Sequence, residues 1–469
     1  MKTLFWFRRD LRLHNNIGLE HALAKGKVVC VFVFDINILN KLSTKKDRRI
    51  QFIAESLCDL NESLITHGSK LTILYGDPKK IVPKYLLENS FEKLVYNRDY
   101  EPYAIDRDVK INERCKSLNI NVSTYKDSVV FEKNEILKAD GSAYNVFTAY
   151  KNKWIDVYLS GYKKVCNQTN FLNLLKFKDL IVYKADELMA NIGFQSILND
   201  CVGGEKNAIS QLSKFHTKIN MYHKNRDFFS LNETSGISVY LRFGCISIRE
   251  CILFSLNNRG SGSNQWLSEL IWRDFYSMIL STFPYSVDKC FKLKYETIIW
   301  ESDDSKFQAW TLGKTGFPII DASMRCLNQT GTLHNRLRMV VSSFFCKTLC
   351  LHWKKGERYF ASKLLDFDLA SNVGGWQWGA STGCDSAPYF RIFNPWLQSK
   401  KFDKDAVFMK RWIPELSQIP SNCFHDLQRL NHALVSAYGI THHTYMNPIV
   451  DYKVQRDYAL KMYSRVKNV

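Results

Sequence analysis

Long apolar runs are missing from this 469-residue chain. None approaches the roughly 18 uninterrupted apolar residues of a membrane-spanning helix, so no span is expected. The opening MKTLFWFRRDLRLH meets Arg8, Arg9 and Asp10 after a short apolar stretch and does not read as a secretory signal. Cysteine is present 13 times, an odd number, but never in CxxC pairs. That excludes zinc-type spacing and argues against a secreted disulfide framework, leaving reduced cysteines, a cytoplasmic setting and no metal as the expectation. GxGxxG and GxxxxGK[ST] are also absent, so neither a standard dinucleotide fingerprint nor a phosphate loop is supported. Repeats and low-complexity tracts are lacking, and no tail is expected beyond the helical DYKVQRDYALKMYSRV. Acidic residues are in deficit: 46 against 65 Lys and Arg, a net charge of +19. Such an excess favours a polyanionic partner, nucleic acid before anionic membrane, with general lysine richness as the alternative.

What is present belongs to a globular protein. The apolar fraction is 45% and the charged fraction 24%. The length exceeds one ordinary core and predicts two or three domains. Over residues 1–130, the short apolar runs LFWFRR, KVVCVFVF, KLTILYGD and KLVYNRDY alternate with helical patterns such as RRIQFIAESLCDLNESLITHG. Strand and helix in alternation predict an α/β, doubly wound parallel-sheet (Rossmann-like) domain. Residues 131–202 have weak periodicity and read as a surface connector. From 203 to 469 the patterns are helical and dense in aromatics, predicting a large all-α domain.

The most telling segment is Asp366–Pro395, DFDLASNVGGWQWGASTGCDSAPYFRIFNP. It mixes Asn, Gln, Thr, Asp and Arg among Trp, Tyr and Phe, so its buried polar groups need partners. A wall for a flat, hydrogen-bonding ring would supply them; a polar loop on a core is the plainer reading. TSGIS at Thr234–Ser238 places hydroxyls and a glycine where a helix begins, suiting either phosphate or an ordinary N-cap. In WLSELIWRDFY, Trp266, Glu269, Leu270 and Arg273 recur at helical steps while Trp272 points elsewhere. Asn335 and Met339 are four apart and so neighbours on one helical face.

FWFRRDLRLHNN, TSGISVYLRFG, WLSELIWRDFY, KTGFPIIDASMRCL and LHNRLRM, with the Asp366–Pro395 segment, resemble the photolyase/cryptochrome family. Order and spacing match nearly end to end, closest to class I cyclobutane pyrimidine dimer photolyases of bacteria. The resemblance implies that the helical domain binds FAD, active in its reduced anionic form. It implies light-driven electron donation to a flipped-out dimer in DNA, by a protein expected to be a monomer.

Residue by residue, the resemblance puts Tyr222, Thr234, Ser235, Gly236, Ile237 and Ser238 on the cofactor's pyrophosphate side. It puts Trp266, Arg273, Arg338, Asp366, Asp368 and Asn372 around the flavin, with Arg338 paired to Asp366. Glu269, Asn335 and Met339 would face the lesion, with Trp272 and Trp378 as stacking walls. Arg226, Arg336 and Lys401 would contact DNA. Trp376, Trp353 and Trp300 would relay electrons from flavin to surface. A second, antenna chromophore is implied, deazaflavin or flavin ahead of folate. Its residues would be Asp99 and Glu101, with Arg9, Arg48, Arg49 and Arg242 as companions; an ion-paired βα loop is the structural alternative. Only His334 stands where relatives acting on (6-4) photoproducts carry paired histidines. Thr332 and Leu333 replace a family Trp, Val373 a second Asn and Ala149 a Pro, none of them a residue assigned to chemistry. Two rivals remain: a cryptochrome-type light sensor, against which Asn372 argues, and a flavin-free nucleic-acid-binding protein.

Overall fold

The computed structural model describes residues 1–161, 169–438, 445 and 447–466. The chain divides into two compact units. One comprises Met1–Asn220 and Ser235–Thr282, the other Met221–Thr234 and Phe283–Val469.

The first unit is built on five parallel strands: β1 (Lys2–Phe7), β2 (Lys27–Asp35), β3 (Leu71–Gly76), β4 (Lys93–Asn97) and β5 (Asn121–Tyr125). Their order is β3-β2-β1-β4-β5. The register pairs Phe5 with Cys30 on one side and with Val95 on the other. Strand β2, KVVCVFVFD, is buried along its whole length after Lys27, as a strand covered on both faces must be. Four strands coincide with the four apolar runs of the sequence. The fifth, NVSTY, is too polar to stand out and is held by pairing to β4.

Chain order reverses between β1 and β4, which opens a crevice at their carboxyl ends. Polar side chains fill its floor. Asn97 donates from Nδ2 to Asp10 (2.6 Å) and Asn16 (2.8 Å), and its Oδ1 accepts from Gly18 N–H. A Cβ on Gly18 would collide with Asn97 Oδ1, so only glycine permits this approach. Deeper in the unit, Asp127 accepts from Arg12 (2.8 Å) and Arg249 (2.6 Å), all three buried. Two guanidiniums and the remaining hydrogen bonds satisfy a charge that would be very costly alone. They hold the Asp127 carboxyl down at about 2 against the upward push of burial.

The long helix Ser261–Thr282 belongs to this unit, and the helix Phe147–Gly161 docks on it. Asp274 fixes the join. Its carboxylate accepts from the backbone N–H of Val130 (3.1 Å) and Phe131 (3.3 Å) and from Trp154 Nε1 (3.0 Å).

In the second unit, among the described residues, the regular elements are all helical. Its core gathers Trp310, Phe345, Trp353, Phe360 and Trp376 with Leu and Val from neighbouring helices. The helices Asn335–Lys347, Trp353–Lys363 and Leu369–Gly379 pack around these rings. His334, His352 and Asp368 cap their N-termini through side-chain acceptors.

Candidate active site

In the first unit, the Ser235–Ser238 segment leads into the short helix Ser238–Phe243. The N-cap Ile237 has no side-chain acceptor of its own to offer the helix's opening N–H groups, while Ser235 Oγ accepts from the Ile237 N–H at 3.5 Å. Gly236 sits at φ +65 and is exposed, while Gln211 Nε2 donates to the Ser235 carbonyl at 2.8 Å and fixes the turn. Exposed Ser238 and half-buried Ser235 flank that glycine. Uncapped donors beside hydroxyls suit the oxygens of a pyrophosphate.

On Ser261–Thr282, Trp266 is almost fully buried between Phe215 and Phe254. Glu269 is half-buried and accepts from Gln265 Nε2 at 2.9 Å. Arg273 donates to the Ser128 carbonyl. Trp272 is half-buried and lies flat on Phe147, ring centroids 3.7 Å apart and planes within 8°.

The same unit carries the acid–base cluster at the sheet's carboxyl edge. Arg9 bridges Asp99 (3.2 Å) and Glu101 (2.8 Å), and Arg242 approaches Glu101 at 3.4 Å. Burial pushes the Asp99 carboxyl up, but Arg9, Arg8 and Arg107 outweigh it and leave it below the usual range. Arg48 donates to the Leu198 carbonyl at 2.8 Å, and Arg49 pairs with Asp47 at 2.6 Å. Four of the six expected antenna residues therefore meet in one network, while Arg48 and Arg49 are engaged at the start of their own helix.

In the second unit, Arg338 donates from one nitrogen to both oxygens of Asp366 (2.9 and 3.0 Å) and from Nε to the Leu333 carbonyl. Asp368 accepts from Ser371 N–H and Oγ, both 3.0 Å, and so caps Leu369–Gly379. Asn372 follows one turn later and is buried. Its amide nitrogen donates to the Glu357 carboxylate (2.8 Å) and carbonyl (3.1 Å). With both N–H bonds committed, the amide's orientation is fixed and its oxygen remains as an acceptor. Glu357, the partner that orients the Asn372 amide, does not stand out in the sequence, because GERYF reads as an ordinary helix turn. Burial pushes its carboxyl above the usual range, and the Asn372 bond pulls it back.

Asn335 is exposed and Met339 half-buried, with Asn335 Nδ2 3.9 Å from Met339 Sδ. Arg336 pairs with Asp227 at 2.6 Å and lies over Phe402. Arg226 lies over the Tyr222 ring at 5.5 Å, and Lys401 lies over Phe402 at 5.1 Å. Tyr222 is buried and Thr234 half-buried. His334 accepts the Arg336 N–H on Nδ1, and burial lowers its pKa to about 4, so the ring is neutral.

The three tryptophans occupy graded depths. Trp353 and Trp376 are buried, and Trp300 is half-buried. Trp376 presses its six-membered ring against Gly356, one turn along from Trp353 on the same helix. His352 joins the others: its ring is 5.5 Å from Trp300 and 5.8 Å from Trp353. Trp378 is half-buried, with Phe393 its nearest ring at 6.2 Å.

A fixed amide acceptor and an Arg–Asp pair suit the polar edge of a flavin, and the turn at Gly236 suits phosphate. The sequence family described as the FAD-binding domain of DNA photolyase matches residues 266–465, and that described as DNA photolyase matches 3–167. An α/β unit of parallel strands, joined in one chain to a helical FAD-binding domain, defines a flavoprotein. The deoxyribodipyrimidine photo-lyase of Escherichia coli K12 is 34% identical to this chain, over 99% of it and 98% of the relative. A bacterial class III photolyase from Agrobacterium tumefaciens superposes with a TM-score of 0.88 at 30% identity, over 100% of this chain and 98% of the other. An archaeal photolyase from Sulfolobus tokodaii, solved with two FAD molecules, superposes with a TM-score of 0.81 at 33% identity, over 99% and 100%. The chain belongs to the DNA photolyase family.

Proposed function

We propose that the protein is a light-dependent DNA repair enzyme, a deoxyribodipyrimidine photo-lyase, that splits cyclobutane pyrimidine dimers. Bound reduced FAD supplies the light-excited electron that cleaves the cyclobutane ring and is regained afterwards; the chain binds, orients and shields. A dimer inside a duplex is out of reach and must be extruded, which costs a few kcal/mol, less where damage already weakens stacking. Trp272 and Trp378 offer flat surfaces for the extruded bases. Glu269, Asn335 and Met339 supply a carboxyl, an amide and a polarizable sulfur for the lesion's edges. Arg226, Arg336 and Lys401 approach phosphates, so binding weakens as salt rises.

Tyr222 and Thr234–Ser238 would hold the pyrophosphate. Trp266, Arg273, Arg338, Asp366, Asp368 and Asn372 would surround the flavin. Trp376, Trp353 and Trp300 would form the reducing relay. The observation that carries the repair reading is the Asn372 amide, which Glu357 leaves with only an acceptor to offer. An acceptor favours a protonated flavin N5, the form a repair enzyme needs.

Arg9, Asp99, Glu101 and Arg242 would take a second chromophore, a deazaflavin or flavin before a folate. The two FAD molecules of the Sulfolobus photolyase give that reading its support. Residues 1–130 would form the antenna domain, 131–202 the connector and 203–469 the catalytic domain. We take the enzyme to work as a monomer in the cytoplasm, on the nucleoid. Among the described residues no helix is long and apolar enough to cross a membrane.

The test is illumination of the purified, reduced protein with an oligonucleotide carrying a thymine dimer. Restored thymine is expected under blue light and none in the dark. Flavin bands with no restored thymine would instead indicate a sensor, and a colourless protein that never takes up FAD a binding protein.

A further inference from the structure

Trp272 owes its position to a residue outside its own helix. Phe147 opens the helix Phe147–Gly161, is buried, and covers one face of the indole at 3.7 Å and 8°. A near face-to-face sandwich is not the arrangement two aromatic rings choose by themselves. The surroundings impose it. Phe275 meets both rings steeply, Phe147 at 71° and Trp272 at 79°. Tyr150, one turn after Phe147, packs on Phe275 at 5.2 Å. Two turns after Phe147, Trp154 donates to the buried Asp274, which also accepts from Val130 and Phe131. The helix therefore cannot slide without breaking a buried hydrogen bond.

We infer that Phe147 is a positioning residue for lesion recognition, a backing plate that holds the Trp272 indole in its stacking orientation with one face closed. The inference rests on the proposed stacking role of Trp272 and deepens it. A half-buried Trp left unsupported has rotamers to lose when a base lands on it, and a ring already clamped has lost them in advance. It also makes the recognition one-sided: Phe147 closes one face of the indole and Tyr276 meets the ring at 5.2 Å and 34°, so a base cannot land on the Phe147 side.

The experiment compares wild type, Phe147→Leu, Phe147→Met, Trp272→Ala and the double variant with both Phe147→Leu and Trp272→Ala. All are flavin-loaded and kept in the dark. Fluorescence anisotropy reads affinity for one oligonucleotide with a single thymine dimer and for the same strand without it, at fixed salt. Leu and Met fill the space without offering a flat face. Each is expected to weaken dimer binding about 3- to 10-fold, the cost of immobilising one rotamer-rich side chain, with dimer-free affinity unchanged. In the Trp272→Ala background, Phe147→Leu should add nothing further. Additive losses would mean that Phe147 only fills the core, and would overturn the inference. So would wild-type dimer affinity in both Phe147 variants while Trp272→Ala is weakened. If Trp272→Ala itself binds as wild type, the stacking reading falls and this inference with it.

Discussion

Gly356 lies inside a helix, where glycine costs about 1 kcal/mol relative to alanine. Its backbone is ordinary helix, so Gly356→Ala ought on propensity alone to stabilise the protein. The structure reverses the sign. A Cβ at this position would lie at or inside 3.0 Å of three atoms of the Trp376 six-membered ring. Ordinary carbon contacts are about 3.5–4.0 Å, so the indole would have to retreat by roughly 1 Å. It has nowhere to go: Phe360, Phe345 and Trp310 meet it nearly perpendicularly at 5.0, 5.5 and 6.0 Å. Overpacking of this kind costs about 1–3 kcal/mol, and a boxed ring belongs at the upper end. Subtracting the propensity gain leaves a net loss of about 2 kcal/mol. Urea denaturation followed by far-UV circular dichroism measures that loss directly. Light-driven reduction of the oxidised flavin should slow in the same variant, because the displaced ring is the proposed first relay. An equally stable or more stable Gly356→Ala protein would refute the packing argument.

Acid should loosen the second unit through His334. Its folded pKa, about 4, lies below the ordinary value near 6.5, so the unfolded chain takes up the proton first. The stability this gives is present above about pH 6.5 and is lost as pH falls through about 4. His334→Asn can still cap the helix but does not titrate, so stability curves at pH 7 and pH 4 should lie closer together by about 2–3 kcal/mol; an unchanged gap would count against the neutral, buried ring. Asp274→Ala should cost about 2 kcal/mol or more in chemical denaturation, because the Val130, Phe131 and Trp154 N–H groups would lose the one carboxylate oxygen on which they converge; a cost near zero would mean those donors find other acceptors. Trp300→Phe should slow photoreduction of the oxidised protein yet spare repair by protein reduced chemically beforehand, and an equal loss of both would sink its assignment as a relay.

The sheet was legible because parallel strands buried on both faces need nearly unbroken apolar runs, and LFWF, KVVCVFVF and KLVY supply them. β5 was not, because NVSTY is stabilised by its neighbour and carries no pattern of its own. The helical half announced itself through three- and four-residue periodicity. At the proposed site, Asn372, Arg338 and Asp366 stand out in the sequence only as types in a motif. Their partners were harder to see. Glu357 acts on Asn372 across 15 positions, and Phe147 reaches Trp272 across 125. Such pairings depend on how helices dock, which periodicity does not encode. Within residues 131–202, proposed as the connector, Phe147, Tyr150 and Trp154 are buried against a helix more than a hundred positions later, a docking that their weak periodicity does not announce.

The Arg12–Asp127–Arg249 cluster bears on biosynthesis. Its members are drawn from the start of the chain, the end of the sheet and a helix just past the sequence midpoint. On the ribosome, Asp127 can pair with Arg12 early but waits for the further bonds that Arg249 makes to its carboxylate and carbonyl until another hundred or so residues are translated. A fragment cut after the sheet would lack those bonds permanently, and grafting the α/β layer onto another protein would require the distant helix to travel with it.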